Sequence, residues 1–147
     1  MGWHILQFVH KETSPESDLF DWLKSKKIVI IGKGATAGKP TEESLKKYGL
    51  NPIVIDRKTK KVPEILKSAD VIVGAVGKKV IQPENLKSGV VLIGIGLHRG
   101  EDGKLHGDYD DDEVNQIASF YTPSPGGVGP INLAYLFQNL VKAAAKS

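Results

Sequence analysis

Three short runs, "KIVIIG" (27–32), "DVIVGAVG" (70–77) and "VVLIGIG" (90–96), are aliphatic on both faces and end in glycine. A strand that must hide both faces belongs in a parallel sheet covered on each side. Helical segments fill the intervals. "PESDLFDWLKS" (15–25) carries Leu19, Phe20, Trp22 and Leu23 as an apolar stripe, with Pro15 in its first turn and Ser14 as its cap. "PTEESLKKY" (40–48) starts near Pro40 and stops at Gly49. "PIVID" (52–56) is a strand, "VPEILKSA" (62–69) a short helix and "PENLKSG" (83–89) a turn of helix. "IASFYT" (117–122) is a weaker strand, and 130–145 a long final helix. Alternation of this kind predicts an α/β fold, a doubly wound parallel sheet of Rossmann type with helices on both faces, three layers in all.

The 147 residues are enough for one domain with a real core, and no repeat or low-complexity tract divides them. No apolar run reaches the ~18 residues of a membrane span, and "MGWHILQFVHKETS" lacks the pattern of a signal peptide. Cysteine is absent, which excludes thiol catalysis, disulfides and Cys-based zinc sites and fits a cytoplasmic setting. The net charge of +3 comes from scattered lysines interleaved with acids, a solvated surface and no platform for nucleic acid or membrane. Histidines 4, 10, 98 and 106 have no paired ligand spacing, and no metal site is expected. His98 and His106 flank a glycine-rich hairpin, "RGEDGKLHG". "DYDDDEV" lacks the glycine and terminal glutamate of a calcium loop and reads as an acidic helix start.

Ligands of open parallel sheets bind beyond the carboxyl ends of the strands. Gly32, Gly77 and Gly96 stand there, where a missing side chain admits a ligand to the main chain. "IGKGATAGKP" places Gly32, Gly34 and Gly38 between a strand and a helix, one residue longer than the common dinucleotide fingerprint. Its free N–H groups and the positive end of the following helix suit a pyrophosphate, with Thr36 a further donor and Lys33 a cation. Asp56, eighteen residues beyond Gly38, occupies the place of a ribose-binding acid, while Arg57 and Lys58 beside it suit a 2′-phosphate. Charge alone leaves NAD open beside NADP. "TPSPGGVGP" (122–130) has three prolines and three glycines in nine positions. It reads either as a loop that stops and starts elements or as a shaped wall against a ligand.

In this order the motifs resemble the nucleotide-binding domain of the bifunctional methylenetetrahydrofolate dehydrogenase/cyclohydrolase (FolD-type) family. "GKGATAGKP" (32–40) is similar to the family's G-R-S-x-x-V-G-x-P, and "DRKT" (56–59) stands at its H-S-x-T. "ADVIVGAVGK" (69–78) resembles A-D-I-V-I-x-A-x-G-K, "LIGIGLH" (92–98) V-I-D-V-G-I-N, and "KLHGDYD" (104–110) the G-D-V segment. "YTPSPGGVGPIN" (121–132) resembles T-P-V-P-G-G-V-G-P-M-T. The resemblance implies cofactor phosphates at Gly32, Lys33 and Gly34, and the adenosine ribose at Arg57. It places Val76 and Gly77 beside the cofactor and Leu97, after Gly96, at the nicotinamide end. Pro125, Gly126, Gly127, Gly129 and Pro130 become the wall between cofactor and folate.

Departures from the pattern matter. Gly34 replaces the loop serine, Lys33 the arginine, Asp56 and Arg57 the histidine and serine, Gly94 the acid before G-I-N, and Asn132 the threonine. The family's catalytic lysine lies in an N-terminal folate domain, in a Y-x-x-x-K motif. Here the residues four beyond tyrosines 48, 109, 121 and 135 are Pro52, Glu113, Pro125 and Asn139, and only 26 residues precede the first strand. No catalytic acid or base is assigned. Residues 1–147 therefore read as a single NAD(P)-binding domain without that folate domain. Folate is a partner only where a catalytic domain is supplied, and a homodimer stays open. The expected function is the dinucleotide-binding half of a folate dehydrogenase/cyclohydrolase. The alternative is a non-catalytic binding or regulatory module.

Overall fold

A computed structural model describes residues 15–146; Ser14, His4 and His10 lie outside that range. The element order is α1 (Pro15–Lys24), β1 (Ile28–Ile31), α2 (Gly38–Lys47), β2 (Ile53–Ile55), α3 (Val62–Lys67) and β3 (Val71–Gly74). A 3₁₀ turn (Pro83–Asn85) follows, then β4 (Val91–Gly94), β5 (His98–Arg99), β6 (Leu105–His106), α4 (Asp111–Val114), β7 (Phe120–Tyr121) and α5 (Val128–Ala145). The main sheet runs β2-β1-β3-β4-β7, and every pairing in it is parallel. The expected α/β class, with helices flanking a parallel sheet, is the one observed. Strand order reverses between β1 and β3, which opens a crevice over their carboxyl ends.

Side-chain alternation sorts the core into two faces. Val29, Ile31, Ile55, Ile72 and Leu92 face Leu66 of α3 and Val114 of α4. Ile28 and Val71 face the other way, with Leu50, against Phe20 and Leu23 of α1 and Leu45 of α2. β1 and β3 are buried along their whole length, as doubly covered strands must be. Helix α2 ends as its glycine foretold. Gly49 takes φ +76°, its N–H bonds Lys46 O, and the Leu50 N–H returns to Leu45 O. The Leu50 side chain packs beside Leu45, which completes the terminator.

Several boundaries moved. α2 starts at Gly38, two residues before Pro40, because the helix is reached directly from the glycine loop. Only Pro83–Asn85 is helical within 83–89, and β7 keeps two of the six residues of "IASFYT". In α1, Phe20 stacks on Tyr48 at 4.3 Å between centroids, whereas Leu19 and Trp22 remain 38% exposed. The stripe is therefore narrower than four residues. The hairpin flanked by His98 and His106 is present, and the two histidines are paired across it. α5 buries nothing: Ile131, Leu133, Tyr135, Leu136, Phe137, Leu140 and Val141 are each more than half exposed. No helix among the described residues is long and apolar enough to cross a membrane.

Candidate dinucleotide-binding site

A cleft of about 650 Å³ lies over the β1/β3 switch point. Its walls bring together Gly32, Lys33 and Gly34 from the loop after β1, Asp56 and Arg57 from the end of β2, and Val76 from beyond β3. Ile31, Ile55, Ala75, Val62 and Val80 give it an apolar floor, and Lys58 adds a cation at the rim.

The three loop glycines have three different reasons. Gly32 turns at φ +105°, and a Cβ there would sit 3.0 Å from the Ala75 carbonyl oxygen. Gly38 is buried, and a Cβ on it would run into the Gly32 carbonyl, so its bareness lets α2 pack against the loop. Gly34 has nothing within 4 Å of the position a Cβ would take. Turn, open approach and close helix packing are the roles the glycines of a dinucleotide loop perform. The N-cap of helix α2 is Ala37, which offers no side-chain cap, and the first turn contains no acid. Its positive end is not countered by a side chain of the first turn. Thr36 is exposed and lies outside the cleft lining.

Asp56 spends much of its bonding capacity on its own turn. Oδ1 accepts from the Lys58 main-chain N–H at 2.9 Å and from the Thr59 hydroxyl at 3.1 Å, while the Asp56 N–H donates to Thr59 Oγ1 at 2.9 Å. The Lys58 N–H, and after it the Thr59 hydroxyl, hold this carboxyl below the usual carboxylate range. Lys33 Nζ stands 3.9 Å from Oδ2, an exposed pair of little energy. The Arg57 side chain is exposed and has no hydrogen bond or ion pair among the described residues.

Gly77 and Gly96 lie beyond the ends of β3 and β4 and are packed together. A Cβ on Gly96 would overlap the Gly77 main-chain nitrogen, and one on Gly77, at φ +70°, would stand 2.9 Å from the Leu97 carbonyl oxygen. Neither glycine lines the cleft, and the Leu97 side chain is 48% exposed. The loop from Pro123 to Gly127 also stands apart from the cleft lining. It contains a cis Ser124–Pro125 bond, and Gly126 takes φ +104°. A Cβ on Gly127 would meet the Pro123 carbonyl oxygen at 2.6 Å, so this glycine closes the turn that starts α5. Gly129 and Pro130 are exposed within that helix.

Sequence reasoning matched 104–110 to a family motif but gave Asp108 and Tyr109 no role. The acidic-start reading fits Asp110, whose side chain accepts from the Asp112 N–H as the α4 cap. Two residues earlier the same acidic run dives inward: Asp108 is fully buried, and Tyr109 is 4% exposed with its hydroxyl donating to Thr122 O at 2.6 Å. Burial pushes the Tyr109 phenol up, opposed by its hydrogen bond to Thr122. A glycine before the acid and an aromatic residue after it were the available signal. Both are wasted on a solvated acidic face.

A parallel sheet reversing at β1/β3, with a bare loop and an open helix N-terminus over the reversal, defines a Rossmann-type nucleotide-binding domain. The sequence profile of the family described as "Tetrahydrofolate dehydrogenase/cyclohydrolase, NAD(P)-binding domain" matches residues 18–147. This chain belongs to that family, as its NAD(P)-binding domain. A bifunctional protein FolD of Lactococcus lactis is 42% identical over 125 residues, which cover 84% of this chain and 44% of the relative. The crystal structure of the Campylobacter jejuni bifunctional FolD dehydrogenase/cyclohydrolase matches with a TM-score of 0.80 at 35% identity, covering 90% of this chain and 47% of that one. The Trypanosoma brucei FolD, solved in complex with NADP cofactor and an inhibitor, matches with a TM-score of 0.75 at 26% identity, over 90% of this chain and 50% of that one. The chain thus spans about half the length of these relatives.

Proposed function

We propose that the crevice holds NADP, with the pyrophosphate on the Gly32–Gly34 main chain and the 2′-phosphate at Arg57. The observation that carries this reading is the empty space at Gly34, over a cleft whose rim bears a guanidinium with no partner among the described residues. Arg57 forms two parallel hydrogen bonds to a phosphate readily, whereas Asp56 is occupied by its own turn. NADP is favoured over NAD on that balance. Thr36 and Gly38 serve from the helix side, one as a donor and one through packing. Leu97 lies at the nicotinamide end, and the 125–130 loop forms the wall facing the substrate.

In this reading the chain is the coenzyme half of a methylenetetrahydrofolate dehydrogenase/cyclohydrolase. The coenzyme would accept a hydride from methylenetetrahydrofolate, and the methenyl product would then be hydrolysed. The chain's own residues bind and orient, and no side chain here is assigned to the chemistry. The folate and the catalytic lysine come from a further domain. The bare apolar surface of α5 supports such a pairing, since seven large apolar side chains in one helix normally belong against another surface. Calorimetry with NADP and NAD tests the binding claim. Addition of a relative's folate domain, with methylenetetrahydrofolate and NADP, tests the enzymatic one by absorbance of NADPH. Micromolar NADP binding with no turnover under that supplementation would favour a non-catalytic module instead.

A further inference from the structure

Asp108 is a carboxylate with no exposed surface, and burial of such a group is costly unless its oxygens are bonded. Its bonds come from main-chain donors. Oδ1 accepts from the N–H groups of Val76 at 2.9 Å and Gly77 at 2.8 Å, and Oδ2 from Gly96 at 2.9 Å. The carbonyl oxygen of Asp108 accepts from Val80 at 2.9 Å and Ile81 at 3.0 Å. One residue therefore ties the segment after β3 to the segment after β4. The surrounding chain is cleared to admit it. A Cβ on Gly74 would stand 2.6 Å from the Asp108 Cβ, and one on Gly96 would stand 2.7 Å from Oδ2.

Ala75 and Val76 line the cleft, so the carboxylate grips this wall from behind. A dinucleotide laid across a switch point puts its adenosine half on one side and its nicotinamide half on the other. Gly34, Asp56 and Arg57 occupy the first side, and the segments held by Asp108 occupy the second. We propose that Asp108 is a positioning residue for the nicotinamide half, fixing the Ala75–Gly77 turn and the Gly96–Leu97 step in the shape that half requires. This rests on the dinucleotide reading above.

Asp108→Asn keeps one oxygen and loses the other, so it cannot hold both segments. Calorimetry compares NADP with 2′,5′-ADP, a probe confined to the adenosine side. The expected result is NADP affinity reduced tenfold or more, with 2′,5′-ADP affinity unchanged within twofold. A parallel loss of both, or a loss of neither, overturns the proposal by making Asp108 a prop of the whole fold or an idle contact. Wild-type protein that binds neither probe would remove the dinucleotide reading and this proposal with it. If the variant does not fold, hydrogen exchange on the ligand-free wild type decides. The Val76, Gly77 and Gly96 amides should exchange at least 100-fold more slowly than free chain, and exchange at open-loop rates would overturn the assignment.

Discussion

At the β1 tip, a side chain added to Gly34 would meet nothing within 4 Å, whereas one added to Gly96 beyond β4 would collide with the Gly77 main chain. Both glycines stand in loops at the carboxyl edge of one sheet, and both read in sequence as openings for a ligand. Around Gly34 the bareness is surface, left for something from outside. Around Gly77 and Gly96 it is interior, filled by the chain itself and by the Asp108 carboxylate. A glycine reserves space, and only its surroundings say for whom. The crevice accordingly has one side that is open and one that is already built.

The strongest way to break this contrast is Gly96→Ala. The added methyl has no room between Gly77 and Asp108, and overpacking of this kind should cost about 3 kcal/mol of stability. Denaturant titration would show it, and an unchanged midpoint would mean the β3–β4 side is not packed as described. Next comes Gly34→Val, which should leave the same midpoint within experimental error. NADP affinity should fall about 100-fold, since each tenfold corresponds to about 1.4 kcal/mol. Destabilisation by Gly34→Val, or retained NADP affinity, would erase the distinction from the other direction.

Much of the fold was legible because its signals are local. Runs such as "KIVIIG" and "DVIVGAVG" could only be strands covered on both faces, and Gly49 could only end a helix as it does. The cleft was legible where its wall comes from one stretch, as in Gly32, Lys33 and Gly34. It was not legible where the partner is far along the chain. Nothing near Gly77 announces that Asp108, 31 residues on, will bond it, and a carboxylate inside an acidic run looks solvated until the fold swallows it. α5 shows the same limit in reverse. The sequence marks it only as a long final helix, and the structure leaves seven of its large apolar side chains exposed.

A smaller effect sharpens the open side. Arg57→Ala removes a guanidinium that has no partner among the described residues from the cleft rim and should weaken NADP about tenfold while leaving NAD unchanged. The difference should shrink as salt is raised, because the pair is exposed. Equal losses for NADP and NAD would make Arg57 a general support of the loop and not a reader of the 2′ position.

The smallest effect separates the protein's titration from the coenzyme's. Asp56 is held below its ordinary value by the Lys58 N–H and the Thr59 hydroxyl. A depressed acid favours the fold while ionised and loses that contribution only as pH falls through its folded pKa. That pKa lies below the ordinary 3.8, so the Asp56 turn stays intact between pH 7 and pH 5. The 2′-phosphate, a monoester with a second pKa of about 6, gains a proton in the same range. NADP affinity should therefore drop a fewfold from pH 7 to pH 5 by calorimetry, while NAD affinity stays flat. A matching drop for NAD would place a titrating protein group in the open side. The Asp56 turn is the only described carboxylate in that lining, so its depressed pKa would then be the first assignment to fall.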